Sequence, residues 1–583
     1  MATSGSAPAR RVLAFAAPMP RRTIFWLATA VAMLAAVWQT WALRWTCDDA
    51  FISFRYAQHF AEGHGLVYNL DPQEAPVEGY TNFSWTMFLA LGHVLGFAGD
   101  GLETWSIAGG ILCHAGTVLL LALMAWRASG GRAVLPLAAC GYAAIHHAAS
   151  LAPAGLETAL FVLVATAMLR LCFALRCARE AWLLGFLGVL AATTRPDGAL
   201  LCAIAGAFVL FDAARRKAPR LVLGYGAPFV LVFAPYLLWR HAYYGYWVPN
   251  TFYAKSGGDP FVSQGFVYLR DFFVCYWPLL AAFVPLPIYL AKKPDLLASI
   301  SPFLGRRPWL AVAAFVLPYL GFVAWVGGDF MFGRFVLPVL PALLFGLDLW
   351  CLRWRAPWLP PALALWLVVG LQVRFEPADL GDFTARVSDN RRISVVPYGD
   401  TTLIEAFRII GHALAKEFDG LSVRIGIGGA QANLAYRAKV PVAIECASGL
   451  TDAYIAHLPA PARGKAGHEK GPWLYPGYLE RRGVHFMFEG AWEKDDAWRE
   501  VKFFNTLPAR LVRYEPKMIA ELRRRDPGFV CVDFERLLDD YLATIADKPK
   551  EQVQSDLAKF RRVWFDHQDD PARLARFTAR LAQ

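Results

Sequence analysis

The chain is 583 residues long, 56% hydrophobic and 14% aromatic, with 18% charged residues and a mean hydropathy of +0.35. Its apolar residues come in long blocks between about 25 and 370, which excludes an ordinary soluble enzyme and marks a polytopic membrane protein with a polar C-terminal region. The net charge of +11 does not point to nucleic acid, because many of the basic residues fall in short links between apolar blocks, where they orient spans.

A basic N-terminus precedes an apolar run over 23–43. No small-residue cleavage site follows it, so it reads as a retained first span, not a signal peptide. Further spans are predicted over 104–126, 133–149, 158–175, 181–194, 199–212, 221–240, 271–291, 309–326, 335–351 and 357–372, about eleven in all. Several fall short of the ~20 residues a bilayer requires and must extend into polar flanks. The apolar stretch 85–96 is read as an interfacial helix. Counted as a span, it would move Arg127, Arg132 and Arg215–Arg220 outside. Left out, it keeps those residues inside with Arg21/Arg22, Arg176/Arg179, Lys292/Lys293, Arg306/Arg307 and Arg353/Arg355. The N-terminus is then inside and the C-terminal region outside.

This topology leaves the polar, Gly- and Pro-punctuated loops on the outer face, where binding and chemistry concentrate. The first carries Asp48 and Asp49 beside Arg55, Tyr56, His59 and His64, followed by Glu78 and Asn82. An acid pair at a membrane boundary calls for water, a cation or a partner charge; it also suits a helix N-terminus capped by Thr46 or Asp48. Glu157 opens a span. Arg195 and Asp197 sit in a Pro–Gly turn, where a lone arginine calls for an anionic partner, either Asp197 or a phosphate. Asn250, Tyr253 and Lys255 form a polar aromatic patch, and Asp329 is followed by Arg334.

The ordered series DDAFISFRYA, GLVYN, VEGYTNFSW, GLET, TRPDG, YGYWVPNTFYAK and GGDFMFGRF, with GLTDAYIAHLP and GHEK in the tail, resembles the GT-C membrane glycosyltransferases. Within them it is most similar to the mycobacterial terminal β-(1→2)-arabinofuranosyltransferase family, over about 45–485. The resemblance implies a polytopic α-helical membrane protein of the GT-C type over 1–372 with a C-terminal α/β extracytoplasmic domain over 373–583. It implies a bacterial cytoplasmic membrane, a polyprenyl-phosphate sugar as donor and a glycan as acceptor. An acid of the first outer loop serves as base, Asp48 by preference, with Asp49 orienting the sugar or holding a divalent cation. Arg55, Arg195, Lys255 and Arg334 are the candidates to bind the donor phosphate. Tyr56, Glu78, Asn82, Glu157, Asp197, Asn250, Tyr253, Asp329, Asp452 and His468 are candidate substrate contacts. A net-retaining route would need a carboxylate nucleophile, with Asp48, Asp49, Glu78 and Asp329 as choices. The alternative function is a transporter or flippase of a lipid-linked sugar.

The tail alternates β-like runs at 423–429, 484–490 and 528–534 with helical stretches. Its aromatics Trp473, Tyr475, Tyr478 and Trp492 either stack on sugar rings or pack the core. The ten cysteines show no metal-ligand spacing, His468 has no partner at ligand spacing, and Cys446 can pair with Cys531 in an oxidising compartment. The last stretch, 550–583, reads as a charged helix.

Overall fold

The structure, a computed structural model, describes residues 20–255, 259–283, 307–353, 358–382, 385–429, 431–460, 464–465, 468–488 and 497–583. Five of its helices are long and apolar enough to cross a membrane: Arg21–Ala42, Gly101–Ala128, Gly198–Arg216, Arg220–Tyr244 and Arg307–Val326. The shorter apolar helices Thr158–Ala174, Leu340–Arg353 and Leu359–Gly370 pack among them. The protein is therefore a multi-pass helical membrane protein.

The first helix shows how such a span is built. Phe25, Thr29, Ala32, Ala36 and Thr40 recur every three or four residues and are buried on one face. Leu27, Val31, Leu34, Trp38 and Trp41 cover the other face and are exposed, as a lipid-facing side must be. The two threonine hydroxyls donate to the carbonyls of Phe25 and Ala36 at 2.9 and 2.6 Å, so neither is left bare in the apolar layer.

Helix contacts are close where residues are small. A Cβ on Gly185 would lie 2.2 Å from the Tyr225 carbonyl oxygen, so Ala178–Thr194 can meet Arg220–Tyr244 only with glycine there. Pro228 cannot donate to the helical ladder, and a π turn follows it at Phe229–Phe233.

Two predicted spans are not single helices. The stretch 133–149 gives a seven-residue helix, Leu137–Ala143, and a second short one, His146–Leu151. Asp348 fixes the start of the first: its two oxygens accept from the N–H groups of Leu137 and Ala138 at 3.0 and 3.1 Å. The stretch 271–291 begins nine residues early, as Val262–Cys275, then breaks before Trp277–Ala281; its remainder, with Lys292, Lys293 and Arg306, lies outside the described residues, as do Arg355 and Trp492. The apolar stretch 85–96 falls largely within the helix Phe83–Val94, which ends before Leu95. At twelve residues it is about 18 Å long, too short to cross a bilayer.

The C-terminal region carries a five-stranded sheet in the order Val442–Glu445, Arg424–Ile427, Phe486–Phe488, Leu507–Leu511, Glu500–Phe503. The first three strands are parallel, with Ile425 opposite both Ala443 and Phe486; the last two are antiparallel additions. The expected strand at 528–534 is reduced to one bridge between Val530 and Lys502, because Asp526–Gly528 makes a turn bonded to Phe504 and Asn505. Cys446 and Cys531 are both free. Cys446 is packed beneath Tyr475 in one apolar cluster, while Cys531 lies against another.

The sheet does not stand apart from the loops between the spans. Tyr56, Leu66, Tyr68, Tyr80 and Tyr244 share a core with Ile425, Ile427, Phe486 and Leu511. Leu70 N–H donates to the Pro441 carbonyl at 2.8 Å, and Asp71 pairs with Arg424 at 2.7 Å. The segment between the first span and Phe83 is thus the seam between helices and sheet.

Candidate active site

Asp48 and Asp49 lie just before the helix Ala50–Ala61, on that seam, and their environments differ. Asp48 Oδ2 accepts from the N–H of Ala432 and Oδ1 from that of Asn433, each at 2.9 Å. These N–H groups open the helix Ala432–Arg437 and would otherwise be orphans. Asp48 therefore clamps the C-terminal region to the loop that follows the first span. The Asp49 carboxylate makes no hydrogen bond or ion pair among the described residues, and it is only partly buried.

Two adjoining clefts, each of about 50 Å³, meet at this pair, sharing Asp48, Asp49, Phe330, Gly429 and His468 as walls. Lys255 lines one and Lys465 the other. Each ammonium lies 5.8 Å from the centroid of the Phe330 ring. Burial lowers the Lys465 ammonium below its usual range, with Asp49 and Asp382 pulling the other way. The two clefts thus share Asp49, a carboxylate without a hydrogen bond or ion pair among the described residues, and each has one lysine in its wall. His468 meets Phe330 edge-on at 5.8 Å. Among the described residues no three His, Cys, Asp or Glu side chains gather as a metal site.

Beneath the clefts the other charged candidates neutralise one another. Glu157 accepts from Arg334 at 2.7 Å and from Arg195 at 3.5 Å; Arg334 also reaches Asp329 at 3.3 Å. Arg195 forks onto Asp197 from 2.9 Å, and Asp197 accepts from the Tyr319 hydroxyl. Asn82 donates to Glu157 at 3.0 Å, and its carbonyl accepts from Ser53 and Thr86. All five ionic groups lie at helix ends or the turn after one, and their contacts bring those ends together on one face. Burial alone would raise the Glu157 carboxyl, but Arg334 and Arg195 hold it below the usual carboxylate range.

Several expected substrate contacts are structural. Arg55, 2% exposed, donates to the carbonyls of Tyr68, Ala435, Val440 and Pro441 at 2.6–3.3 Å. It staples the sheet region to the outer loop and is not placed to bind a phosphate. Tyr56 is wholly buried; its hydroxyl donates to Val77 O at 2.5 Å and accepts from Gly79 N–H at 2.8 Å. Glu78 is held by Arg240 at 2.7 Å, and Asn250 ties to the carbonyls of Gly449 and Leu450. Tyr253 stacks on His457 at 4.0 Å. Asp452 caps the helix Ala453–His457 and accepts from Tyr478 and Arg482. In the tail, Tyr475 is core, Trp473 is exposed and Tyr478 lines a groove.

Lys465 was missed by sequence reasoning. It lies two residues before the GHEK motif, but a single lysine in the basic run 463–470 carries no local mark of a site.

The fold and site together define a multi-pass membrane protein whose helix ends and sheet enclose an acid–lysine cleft. The chain resembles terminal β-(1→2)-arabinofuranosyltransferases: it is 33% identical to that of Mycobacterium tuberculosis over 55% of each chain. It is 28% identical to that of Corynebacterium glutamicum over 59% of this chain and 53% of the other. The chain spans about half the length of the curated relatives it matches. No family model matches it. Among solved structures, ArnT from Cupriavidus metallidurans bound to undecaprenyl phosphate overlays at a TM-score of 0.44 and 15% identity, covering 74% of this chain and 76% of that one. The Archaeoglobus fulgidus oligosaccharyltransferase overlays at 0.41 and 10%, covering 82% and 69%.

Proposed function

We propose that the protein is a glycosyltransferase that moves a sugar, arabinofuranose, from a polyprenyl phosphate to a hydroxyl of a surface glycan, on the outer side of a bacterial cytoplasmic membrane. The two curated relatives carry that kind of activity in their names. The observation that carries the reading is Asp49: an uncommitted carboxylate in clefts also lined by Lys255 and Lys465.

The acceptor hydroxyl gives its proton to Asp49 as its oxygen attacks the anomeric carbon. The bond from that carbon to the phosphate oxygen breaks, and its electron pair leaves with the lipid phosphate. Lys255 and Lys465 meet the charge that grows there. Asp49 replaces Asp48 as the proposed base, since both Asp48 oxygens are engaged with backbone N–H groups. One base and one displacement invert the anomeric centre. A covalent intermediate would need a second available carboxylate; Glu78 and Asp329 are held by Arg240 and Arg334.

A flippase reading draws no support from this arrangement, in which the charged groups sit at helix ends on one face. The test is transfer by protein purified in detergent from a panel of polyprenyl-phosphate sugars, with Asp49→Asn beside the wild type. Transfer from one donor, abolished in Asp49→Asn, is expected. Full transfer in that variant would remove Asp49 from the chemistry, and no transfer from any donor would remove the enzyme.

A further inference from the structure

A third cavity, of about 540 Å³, is much larger than either cleft at the acid pair. It lies in the seam between the first outer loop, the outer end of the helix Arg220–Tyr244, and the turn and helix around Asp452. Tyr243 and Tyr246 stand on one side, and Tyr454 and Tyr478 on the other, stacked with centroids 4.5 Å apart. Tyr246 and Tyr454 pack against His457 and Tyr478 yet stay 42% and 49% exposed, which leaves ring surface open to the groove.

The walls do not suit an anion. Asp71, Glu74 and Asp452 line the groove, and the guanidinium of Arg482, among the same walls, reaches all three. The carboxylates outnumber that cation three to one, and Arg482 is already committed to them, whereas Lys255 and Lys465 line the clefts at the acid pair. Exposed aromatic faces take the C–H faces of a neutral sugar, and carboxylates and a guanidinium take its hydroxyls.

The groove and the acid-pair cleft share two walls, Tyr68 and Thr451. Tyr68 is 2% exposed, and its hydroxyl has no hydrogen-bond partner among the described residues. A buried, unpartnered hydroxyl is costly in a folded protein unless a ligand completes it. Its ring is fixed beneath the Arg55 guanidinium at 4.8 Å, so the hydroxyl cannot readily swing away.

We propose that this tyrosine-walled groove binds the neutral acceptor oligosaccharide, and that the Tyr68 hydroxyl holds its terminal sugar where groove and acid-pair cleft meet. The proposal rests on the glycosyltransferase reading and extends it. The phosphate-bearing donor enters the clefts, where Lys255 and Lys465 meet it, and the uncharged acceptor enters the tyrosine-walled groove.

The test uses the full chain in detergent, titrated separately with a synthetic linear arabinofuranosyl hexasaccharide and with undecaprenyl phosphate. Tyr246→Ala and Tyr454→Ala, both at exposed positions, are expected to weaken the hexasaccharide at least tenfold and leave undecaprenyl phosphate unchanged. Lys255→Ala is expected to do the opposite. Tyr68→Phe keeps the ring packed; it is expected to lower kcat more than tenfold with thermal stability retained. Hexasaccharide affinity unmoved by both tyrosine variants, or undetectable in a protein that transfers sugar, would overturn the groove. Groove-dependent binding without transfer from any polyprenyl sugar would leave the groove standing and defeat the enzymatic reading.

Discussion

Asn433 donates its backbone N–H to Asp48 Oδ1 at 2.9 Å, across 385 residues of chain. That bond, with its neighbour from Ala432, makes Asp48 part of the joint between the outer loop and the sheet. It leaves Asp49 facing the clefts.

The two acids should therefore fail differently. Asp49→Asn is expected to lower transfer by 10²- to 10⁴-fold, the range of a lost general base, with donor binding and thermal stability unchanged. Asp48→Ala removes a cap from two helix N–H groups and is expected to cost about 1–2 kcal/mol. Transfer assays and unfolding in the same detergent separate them. A stable Asp48→Ala without activity, beside an active Asp49→Asn, would reverse the assignment.

The two lysines predict a shared effect on the donor. Lys255→Ala and Lys465→Ala are each expected to weaken polyprenyl-phosphate binding by about 1.5–3 kcal/mol, the worth of a hydrogen bond to a charged group. Burial already lowers the Lys465 ammonium, so phosphate affinity should fall as pH rises through a value below the ordinary lysine range. Lys465→Arg keeps its charge at high pH and should abolish that alkaline loss. A binding profile flat in pH for the wild type would exclude Lys465 from the phosphate site.

The apolar blocks made most helices legible, because a span must satisfy its own backbone and must be apolar along its length. What the blocks hid was interruption. Asp348 caps a helix at Leu137 from 211 residues away, and no local pattern around 137 announces it. The outer loops were legible as polar and mixed in charge, but not which charges cancel. Arg55 and Lys255 look alike as candidate phosphate ligands. Only the fold shows four carbonyls around the first and an open cleft beside the second.

The buried network at Glu157 predicts acid sensitivity. Arg334 and Arg195 hold its carboxyl below the unfolded value of about 4.3. A depressed carboxylate contributes stability that is complete above the unfolded pKa and is lost as pH falls through the folded one. Glu157→Gln leaves Arg334 and Arg195 short of a counter-charge and is expected to cost about 3–5 kcal/mol at neutral pH. It should also flatten the loss of stability below pH about 4.3, read by unfolding across pH. An unchanged acid limb in the variant would assign the sensitivity to other carboxylates.

Arg55 gives the sharpest separation of structure from binding. A guanidinium donating to the carbonyls of Tyr68, Ala435, Val440 and Pro441 cannot be replaced by an ammonium, whose donors leave from one nitrogen. Arg55→Lys leaves buried carbonyls unpaired, at about 1–3 kcal/mol each, and should lower thermal stability markedly. In the fraction that stays folded, donor KM should be unchanged. A phosphate-binding Arg55 would behave in the opposite way: lysine would retain the charge and the fold, and donor KM alone would rise. Unfolding temperature and KM measured on one preparation decide between the two, and a stable Arg55→Lys with raised donor KM would return Arg55 to the phosphate site.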